Sequence, residues 1–170
     1  MADQFEIKDL DSLRYFLGME VARSKDVISI SQWKYTLDLL KETGMTECKP
    51  IDTPIEVNTK PGDSVEGVPV NKERYQHLIG KLISLSHTRP NICFAVSMVS
   101  QFMQAPYEKH MKIVTRILRY LKSTPGKGLL FKKHEKRCIE AYTDSDWVGL
   151  VTDRKSTSGY CTFVWGNLVT

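Results

Sequence analysis

Residues 71–90 read NKERYQHLIGKLISLSHTRP, and this stretch decides the fold. Its apolar side chains recur three and four residues apart, which places them on one face of an α-helix. Asn71 stands where a helix cap is expected, since its side chain can accept a hydrogen bond from a free backbone N–H. Arg89-Pro90 interrupts the pattern, because the residue before a proline is disfavoured in helical geometry. We therefore predict a helix whose inner face is formed by Tyr75, Leu78, Ile79, Leu82 and Leu85.

Two more helices are predicted after this one. Pro90 suits the first turn of a helix, and the next apolar positions again have helical spacing: Ile92, Ala95, Val96, Val99 and Met103. We expect this helix to pack against the first as a helical hairpin. Ala105-Pro106 breaks it, and a third helix is predicted from about Tyr107 to Leu121.

The third helix has two contrasting faces. At about 100° per residue, an apolar side is formed by Val114, Ile117, Leu118 and Leu121, and a basic stripe on the opposite side by Lys109, Lys112, Arg116 and Arg119. Such a stripe is either the solvated face of an amphipathic helix or a surface that contacts phosphate. The residues alone favour the solvated face.

A β-hairpin and a helix are predicted in the first 44 residues. Two apolar runs, 13–22 and 27–30, flank the polar turn Ser24-Lys25-Asp26. A helix capped by Ser31 should follow, with Gly44 at its end. Its apolar positions are Trp33, Leu37 and Leu40. Residues 49–70, which are rich in proline and glycine and have no sustained period, are predicted to be an exposed connector.

The C-terminal part favours strands. The stretch Ser123-Thr124-Pro125-Gly126-Lys127-Gly128 is the predicted boundary between domains 1–125 and 126–170. Strands are predicted at 129–131, 138–143, 160–165 and, after a Gly166-Asn167 turn, 168–170. The predicted class is therefore α+β, with an N-terminal hairpin, a helical region and C-terminal antiparallel strands. We expect this last domain to be truncated, because the sequence stops within a strand and an uncovered apolar sheet face is unfavourable in water.

Composition excludes two classes of protein. Hydrophobic residues at 41% and charged residues at 26% are ordinary for a globular chain, so neither disorder nor a membrane class is indicated. We find no signal peptide and no apolar run near the roughly 20 residues that cross a bilayer. A net charge of +4 permits nucleic-acid binding without requiring it. The four scattered cysteines indicate reduced thiols in a reducing compartment.

Four blocks of the sequence resemble one known family in the same order. They are 9–21 (DLDSLRYFLGMEV), 29–40, 75–90 and 141–147 (AYTDSDW), the last of which continues at 153–160 (DRKSTSGY). Together they cover nearly the whole chain, and the final block is the most specific. They resemble the Pol polyprotein of copia-type retrotransposons, from the end of the reverse transcriptase to the start of a ribonuclease H-like domain.

The resemblance implies roles for residues that patterns alone do not assign. Phe16, Leu17, Gly18 and Met19 would fall in a primer-grip-like hairpin, in which a strand glycine lets another backbone approach. The helices would be thumb-like, with the basic stripe contacting phosphates of a primer-template or an RNA/DNA hybrid. Asp144 would be the first carboxylate of the ribonuclease site, with Asp146 as the alternative metal ligand. Mg²⁺ is implied for the intact parent enzyme, whose other Pol segments would be partners.

Departures from the family pattern limit the predicted activity. The sequence lacks the Tyr-x-Asp-Asp turn of the polymerase, and the remaining ribonuclease carboxylates would lie beyond Thr170. Trp33, Asn91 and Val148-Gly149-Leu150 also differ from the usual residues. We therefore predict a catalytically incomplete Pol fragment that binds no metal tightly. The alternatives are a stand-alone, non-catalytic nucleic-acid-binding module and an inert retrotransposon relic.

Overall fold

The computed structural model of the chain describes residues 14–56, 67–135, 137–146 and 157–169. In chain order, their elements are β1 (Tyr15–Phe16), β2 (Met19–Arg23), β3 (Val27–Ser31), α1 (Trp33–Glu42), α2 (Lys72–Ser86), α3 (Cys93–Ser100), α4 (Glu108–Ser123), β4 (Leu129–Lys132), β5 (Ile139–Asp146), β6 (Thr157–Val164) and β7 (Asn167–Leu168). The predicted mixture of helices and antiparallel strands is confirmed. Residues 9–13, 147 and 153–156 of the family-like blocks lie outside the described residues.

The helical core has the arrangement that residues 71–90 predict. Asn71 caps α2, since its Oδ1 accepts from the backbone N–H of Arg74 at 2.7 Å. All five predicted inner residues of α2 are buried. α2 packs against α3, and α3 against α4. The hydroxyl of Tyr75 donates to the carbonyl of Val99 at 2.8 Å, which satisfies a polar group inside this core.

The helix predicted after Pro90 begins differently. Pro90–Ile92 form one turn of 3₁₀-helix, and α3 starts only at Cys93. Proline does occupy the first turn, as predicted, because its missing N–H would have no partner there. Ile92, Ala95, Val96 and Val99 are buried, whereas Met103 lies beyond the end of α3 and is only partly buried.

Of the three apolar positions predicted for α1, only Leu40 is buried. Trp33 and Leu37 are exposed, and the buried residues are Thr36, Leu39 and Leu40. Thr36 is tolerated inside because its hydroxyl donates to the carbonyl of Gln32 at 2.8 Å. The predicted cap is wrong as well, since Ser31 ends β3 and Gln32 precedes the helix without a side-chain cap bond. Gly44 follows the helix with φ of 69°, as expected for a C-terminal glycine.

The predicted hairpin is confirmed, with an additional strand. β2 and β3 pair antiparallel around Ser24-Lys25-Asp26, and the N–H of Ser24 donates to the carbonyl of Val27 at 2.8 Å. The first apolar run does not form a single strand. It folds back at Leu17-Gly18, so that β1 pairs with β2.

β4 joins the N-terminal sheet. The first sheet has the order β1-β2-β3-β4, and the second has the order β5-β6-β7. Gly128 allows β4 to approach β3, because a Cβ at this position would lie 2.1 Å from the carbonyl oxygen of Ile30. The division into 1–125 and 126–170 stays a prediction, and this pairing joins the first strand after that boundary to the N-terminal hairpin.

The tight turn that joins β6 to β7 lies one residue earlier than predicted. Trp165 and Gly166 form the turn with φ of 52° and 72°, and Asn167 is already in β7. The Gly166-Asn167 prediction is therefore wrong by one position. Trp165 adopts a left-handed conformation that costs energy for a residue with a Cβ, whereas Asn167 uses its side chain to bond the backbone of Lys132.

A buried arginine holds the loop between α4 and β4. Arg89 lies just after α2, where Nη1 donates to the carbonyl of Thr124 at 2.7 Å and Nη2 to the hydroxyl of the same residue at 2.8 Å. Burial lowers the pKa of its guanidinium, because the charged form loses hydration. The hydrogen bonds offset part of that cost. Arg89 thus fixes the position of Thr124, the first residue of the loop that leads from α4 to β4.

Candidate nucleic-acid interface

The basic stripe of α4 faces another part of the chain. Arg116 contacts the connector directly: Nη1 donates to Glu56 Oε1 at 2.5 Å and Nη2 to Thr53 Oγ1 at 2.9 Å. Arg119 Nε donates to the carbonyl of Lys49 at 2.7 Å. The connector segment, defined here as residues 48–56, therefore lies along two of the four cations predicted for this stripe.

A fifth cation extends the same contact toward the end of α4. Lys122 Nζ donates to the carbonyl of Cys48 at 2.6 Å. Ile51 and Ile55 of the connector segment pack against the helical core. Apolar packing and basic side chains therefore hold the connector segment against the helices. The prediction of an exposed connector is correct for most of residues 49–56 and wrong for the partly buried Ile51 and Ile55.

The two lysines of the stripe lie nearer the start of α4. Lys112 is exposed, and Lys109 is partly buried. The apolar side predicted for this helix is confirmed, since Val114, Ile117, Leu118 and Leu121 are all buried. Phosphate binding by the four cations stays a prediction.

An open hollow lies beside these cations. Its volume is about 400 Å³, and it is lined by Ile55, Glu56, Lys112, Ile113, Thr115, Arg116 and Arg119. Three cations and a single carboxylate give it a positive balance. Because the attraction between opposite charges is stronger where part of the surrounding water is replaced by protein, such a hollow suits an anion.

The primer-grip-like residues form the tip of a turn. Phe16 ends β1, Met19 begins β2, and Leu17 and Gly18 between them have φ of 48° and 81°. Positive φ at both central residues is typical of a type I′ turn, whose twist matches that of the flanking strands. Leu17 is 72% exposed, and Phe16 is also exposed. The tip therefore presents apolar side chains to any ligand that approaches this edge.

Gly18 does not lie where the sequence predicted it. It lies in the turn and not within a strand, so the interpretation as a strand glycine approached by another backbone is wrong. The nearest atom to a Cβ built at this position is Cδ2 of the Tyr35 ring, at 3.4 Å. Its φ explains the glycine without any close approach, since residues with a Cβ rarely adopt this conformation. Whether the turn contacts a primer stays a prediction.

Asp144 lies in the long strand of the second sheet. It is exposed and pairs with Gly159 of β6, which has no side chain to cover it. Alternate residues of a strand share a face, so Asp144 lies on the same face of β5 as Glu140 and Tyr142. The side chain of Asp146 is not among those described. Among the described residues, no three His, Cys, Asp or Glu side chains are grouped so that they could hold one metal ion.

Exposed apolar side chains lie on both faces of the second sheet. Tyr142 makes an edge-on contact with Phe163, with ring centroids 5.9 Å apart. Ile139 and Tyr160, on the opposite face, are each 74% exposed. The described part of the second sheet therefore presents apolar side chains on both faces.

Sequence reasoning missed the acceptors that contact the basic stripe. Glu56 and Thr53 lie in a stretch without periodicity, 60 and 63 residues before Arg116. Nothing in the local pattern pairs them with a helix so far along the chain. The acidic residues Asp52 and Glu56, in a stretch that also contains Pro50 and Pro54, were the only local indication.

Comparison with known proteins identifies the family. A family model described as reverse transcriptase (RNA-dependent DNA polymerase) matches residues 1–57. The Pol polyprotein of transposon RE1 from Arabidopsis thaliana is 38% identical over 164 residues, which are 96% of this chain and 11% of that protein. The Pol polyprotein of transposon TNT 1-94 from Nicotiana tabacum is 33% identical over 94% of this chain and 13% of its own length. No solved structure matches the chain.

A shorter relative is matched over most of its length. An uncharacterized mitochondrial protein of Arabidopsis thaliana is 35% identical over 99% of this chain and 70% of its own length. This chain belongs to the family of Pol polyproteins of copia-type retrotransposons, and it corresponds to a segment of them. Across the described residues, no helix is long and apolar enough to cross a membrane.

Proposed function

We propose that this chain is a nucleic-acid-holding segment of a retrotransposon reverse transcriptase and ribonuclease H. The observation that carries the proposal is the match of residues 1–57 to the reverse transcriptase model, because this range includes the turn at Phe16–Met19. The exposed apolar side chains at that tip suit contact with the sugars and bases of a primer strand. The ligand is a primer-template or an RNA/DNA hybrid.

The basic stripe of α4 supplies the second part of the proposed surface. Lysine and arginine side chains bind the phosphate backbone whatever the base sequence, which a polymerase that moves along its template requires. Lys109, Lys112, Arg116 and Arg119 are the proposed phosphate contacts. The positive hollow bordered by the last three is the place where a phosphate would be held.

The second sheet is proposed to be the start of a ribonuclease H-like domain. Asp144 is the proposed inherited metal ligand, with Asp146 as the alternative. A site with two Mg²⁺ ions requires several carboxylates, of which Asp144 would supply one. The described residues do not by themselves fit a complete magnesium site, so we derive no catalytic step from them. Hydrolysis is proposed only for the whole polyprotein.

Binding of a fluorescently labelled RNA/DNA hybrid across a salt series tests the proposed surface. The informative variant is Lys112→Gln, since Lys112 is exposed and borders the hollow. Losing one phosphate contact should weaken binding and reduce the slope of log K against log salt by about 0.7–0.9. Arg116→Ala/Arg119→Ala should also weaken binding, but this variant frees the connector segment at the same time and is therefore harder to interpret.

A matched control distinguishes the loss of a cation from the basic stripe from the loss of a positive charge elsewhere in the chain. Lys25→Gln removes the same charge from the β2–β3 turn and should change the affinity much less. A folded chain that does not bind, or that binds equally well after both substitutions, would contradict the proposal and leave the resemblance as ancestry only. Magnesium-dependent cleavage of the RNA strand that is lost in Asp144→Asn would overturn our expectation that the chain is catalytically incomplete.

A further inference from the structure

We propose that Glu56 occupies the place of a nucleic-acid phosphate on Arg116, so that the connector segment competes with nucleic acid for the basic stripe of α4. This inference rests on the proposed function, because it concerns the same surface. It adds a residue that the resemblance does not assign and a way in which the chain regulates its own affinity.

The geometry at Arg116 supports the substitution of one anion for another. Two oxygens from the connector segment use both terminal nitrogens of the guanidinium, one from the Glu56 carboxylate and one from the Thr53 hydroxyl. Arginine binds carboxylate and phosphate through the same pair of parallel N–H groups. While the Glu56 contact is formed, the Nη1 N–H that it uses is not available to a phosphate.

The contact is exposed enough to be displaced. The Glu56 side chain is 67% exposed and that of Arg116 27%. An ion pair near water contributes little net stability, because both partners are well hydrated when separated. A nucleic acid that replaces Glu56 also releases condensed counterions, which favours the exchange at low salt.

The exchange requires only a local movement. Ile51 and Ile55 can remain packed against the core while the Glu56 side chain rotates away from Arg116. The hollow already lies beside Arg116 and is bordered by Lys112 and Arg119, so a phosphate entering it would meet all three cations. Glu56 therefore acts as a carboxylate that a phosphate must displace to reach the middle of the stripe.

The test compares Glu56→Gln with Asp52→Asn in the full chain. Both remove one negative charge from the connector segment, but only Glu56 is a described partner of Arg116. With a labelled RNA/DNA hybrid, Glu56→Gln should raise the affinity about threefold or more at low salt. The slope of log K against log salt should become steeper by up to the amount expected for about one additional phosphate contact. Asp52→Asn should raise it less than about twofold, through general charge alone. Circular dichroism and urea unfolding establish that both variants fold like the parent chain.

The outcomes distinguish this inference from the proposed function. If Lys112→Gln weakens binding while Glu56→Gln and Asp52→Asn behave alike, the competition is refuted and the proposed function stands. If neither the parent chain nor Glu56→Gln binds, both fail.

Discussion

The side chain of Asn167 bonds the backbone of Lys132 in both directions. Its Oδ1 accepts from the Lys132 N–H at 2.7 Å, and its Nδ2 donates to the Lys132 carbonyl at 2.8 Å. An amide side chain thereby takes the place of a neighbouring strand at the end of β4. Since β4 belongs to the first sheet and β7 to the second, this pair of hydrogen bonds joins the two sheets.

Replacing Asn167 should loosen this junction. Asn167→Ala removes both bonds and should lower the free energy of unfolding by about 1–2 kcal/mol, since a typical hydrogen bond contributes about 1 kcal/mol net. Asn167→Asp keeps the acceptor for the Lys132 N–H and should lose less. Urea unfolding measures the change, and hydrogen exchange at the Lys132 amide locates it. Unaltered exchange at that amide in Asn167→Ala would show that the junction does not depend on this side chain.

A buried polar pair joins the start of α1 to the end of α2. The hydroxyl of Thr88 donates to Gln32 Oε1 at 2.7 Å, and both residues are almost fully buried. Thr88→Val keeps the shape but leaves the Gln32 oxygen without this donor, so we expect a loss of about 1–3 kcal/mol in the free energy of unfolding. The measurement is urea unfolding followed by circular dichroism.

The pair is best tested with a double-mutant cycle. Gln32→Leu removes the oxygen that Thr88→Val would otherwise leave unsatisfied, so the double variant should lose less than the sum of the two single losses. Strictly additive losses would mean that the two side chains contribute independently of the bond between them.

Stability should fall at acid pH through a contact between α1 and α2. The hydrogen bond from Lys81 is the largest cause that lowers the pKa of Glu42 from its ordinary value of 4.5. A carboxyl whose pKa is lowered by folding stabilises the protein above its unfolded pKa, and this contribution disappears as pH falls through the folded value. Because the Glu42 side chain is 44% exposed, screening by water limits the effect to about 0.5 kcal/mol.

The pH dependence can be separated from general acid denaturation. The difference in unfolding free energy between the parent chain and Glu42→Gln should be present at pH 7 and vanish near pH 3. Glu47→Gln, which removes an exposed carboxylate just after α1, serves as the matched control. An equal difference at both pH values would exclude the proposed ionic contribution of Glu42.

Local pattern predicts part of this fold, and long-range contacts account for what it misses. The inner face of α2 follows from spacing because a helix with one apolar stripe has one way to bury it. The same rule fails for α1, where Thr36 goes inside by bonding its own backbone and Trp33 stays outside. The pairing of β4 with β3 and the contact of Arg116 with Glu56 each join distant parts of the sequence, so spacing within a window cannot predict them.

The turn at Leu17-Gly18 permits a test that separates stability from binding. Leu17 has φ of 48°, a conformation that Asn and Gly adopt more readily than leucine does, and Asn-Gly is the preferred pair for a type I′ turn. Leu17→Asn should therefore raise the free energy of unfolding by up to about 1 kcal/mol. If the exposed side chain contacts the primer strand, the same variant should bind the RNA/DNA hybrid more weakly although it is more stable. Thermal unfolding and anisotropy on the same sample measure the two effects. Weaker binding by a more stable variant could not be explained by a loss of fold. Unchanged affinity in a stabilised Leu17→Asn variant would remove this residue from the proposed surface.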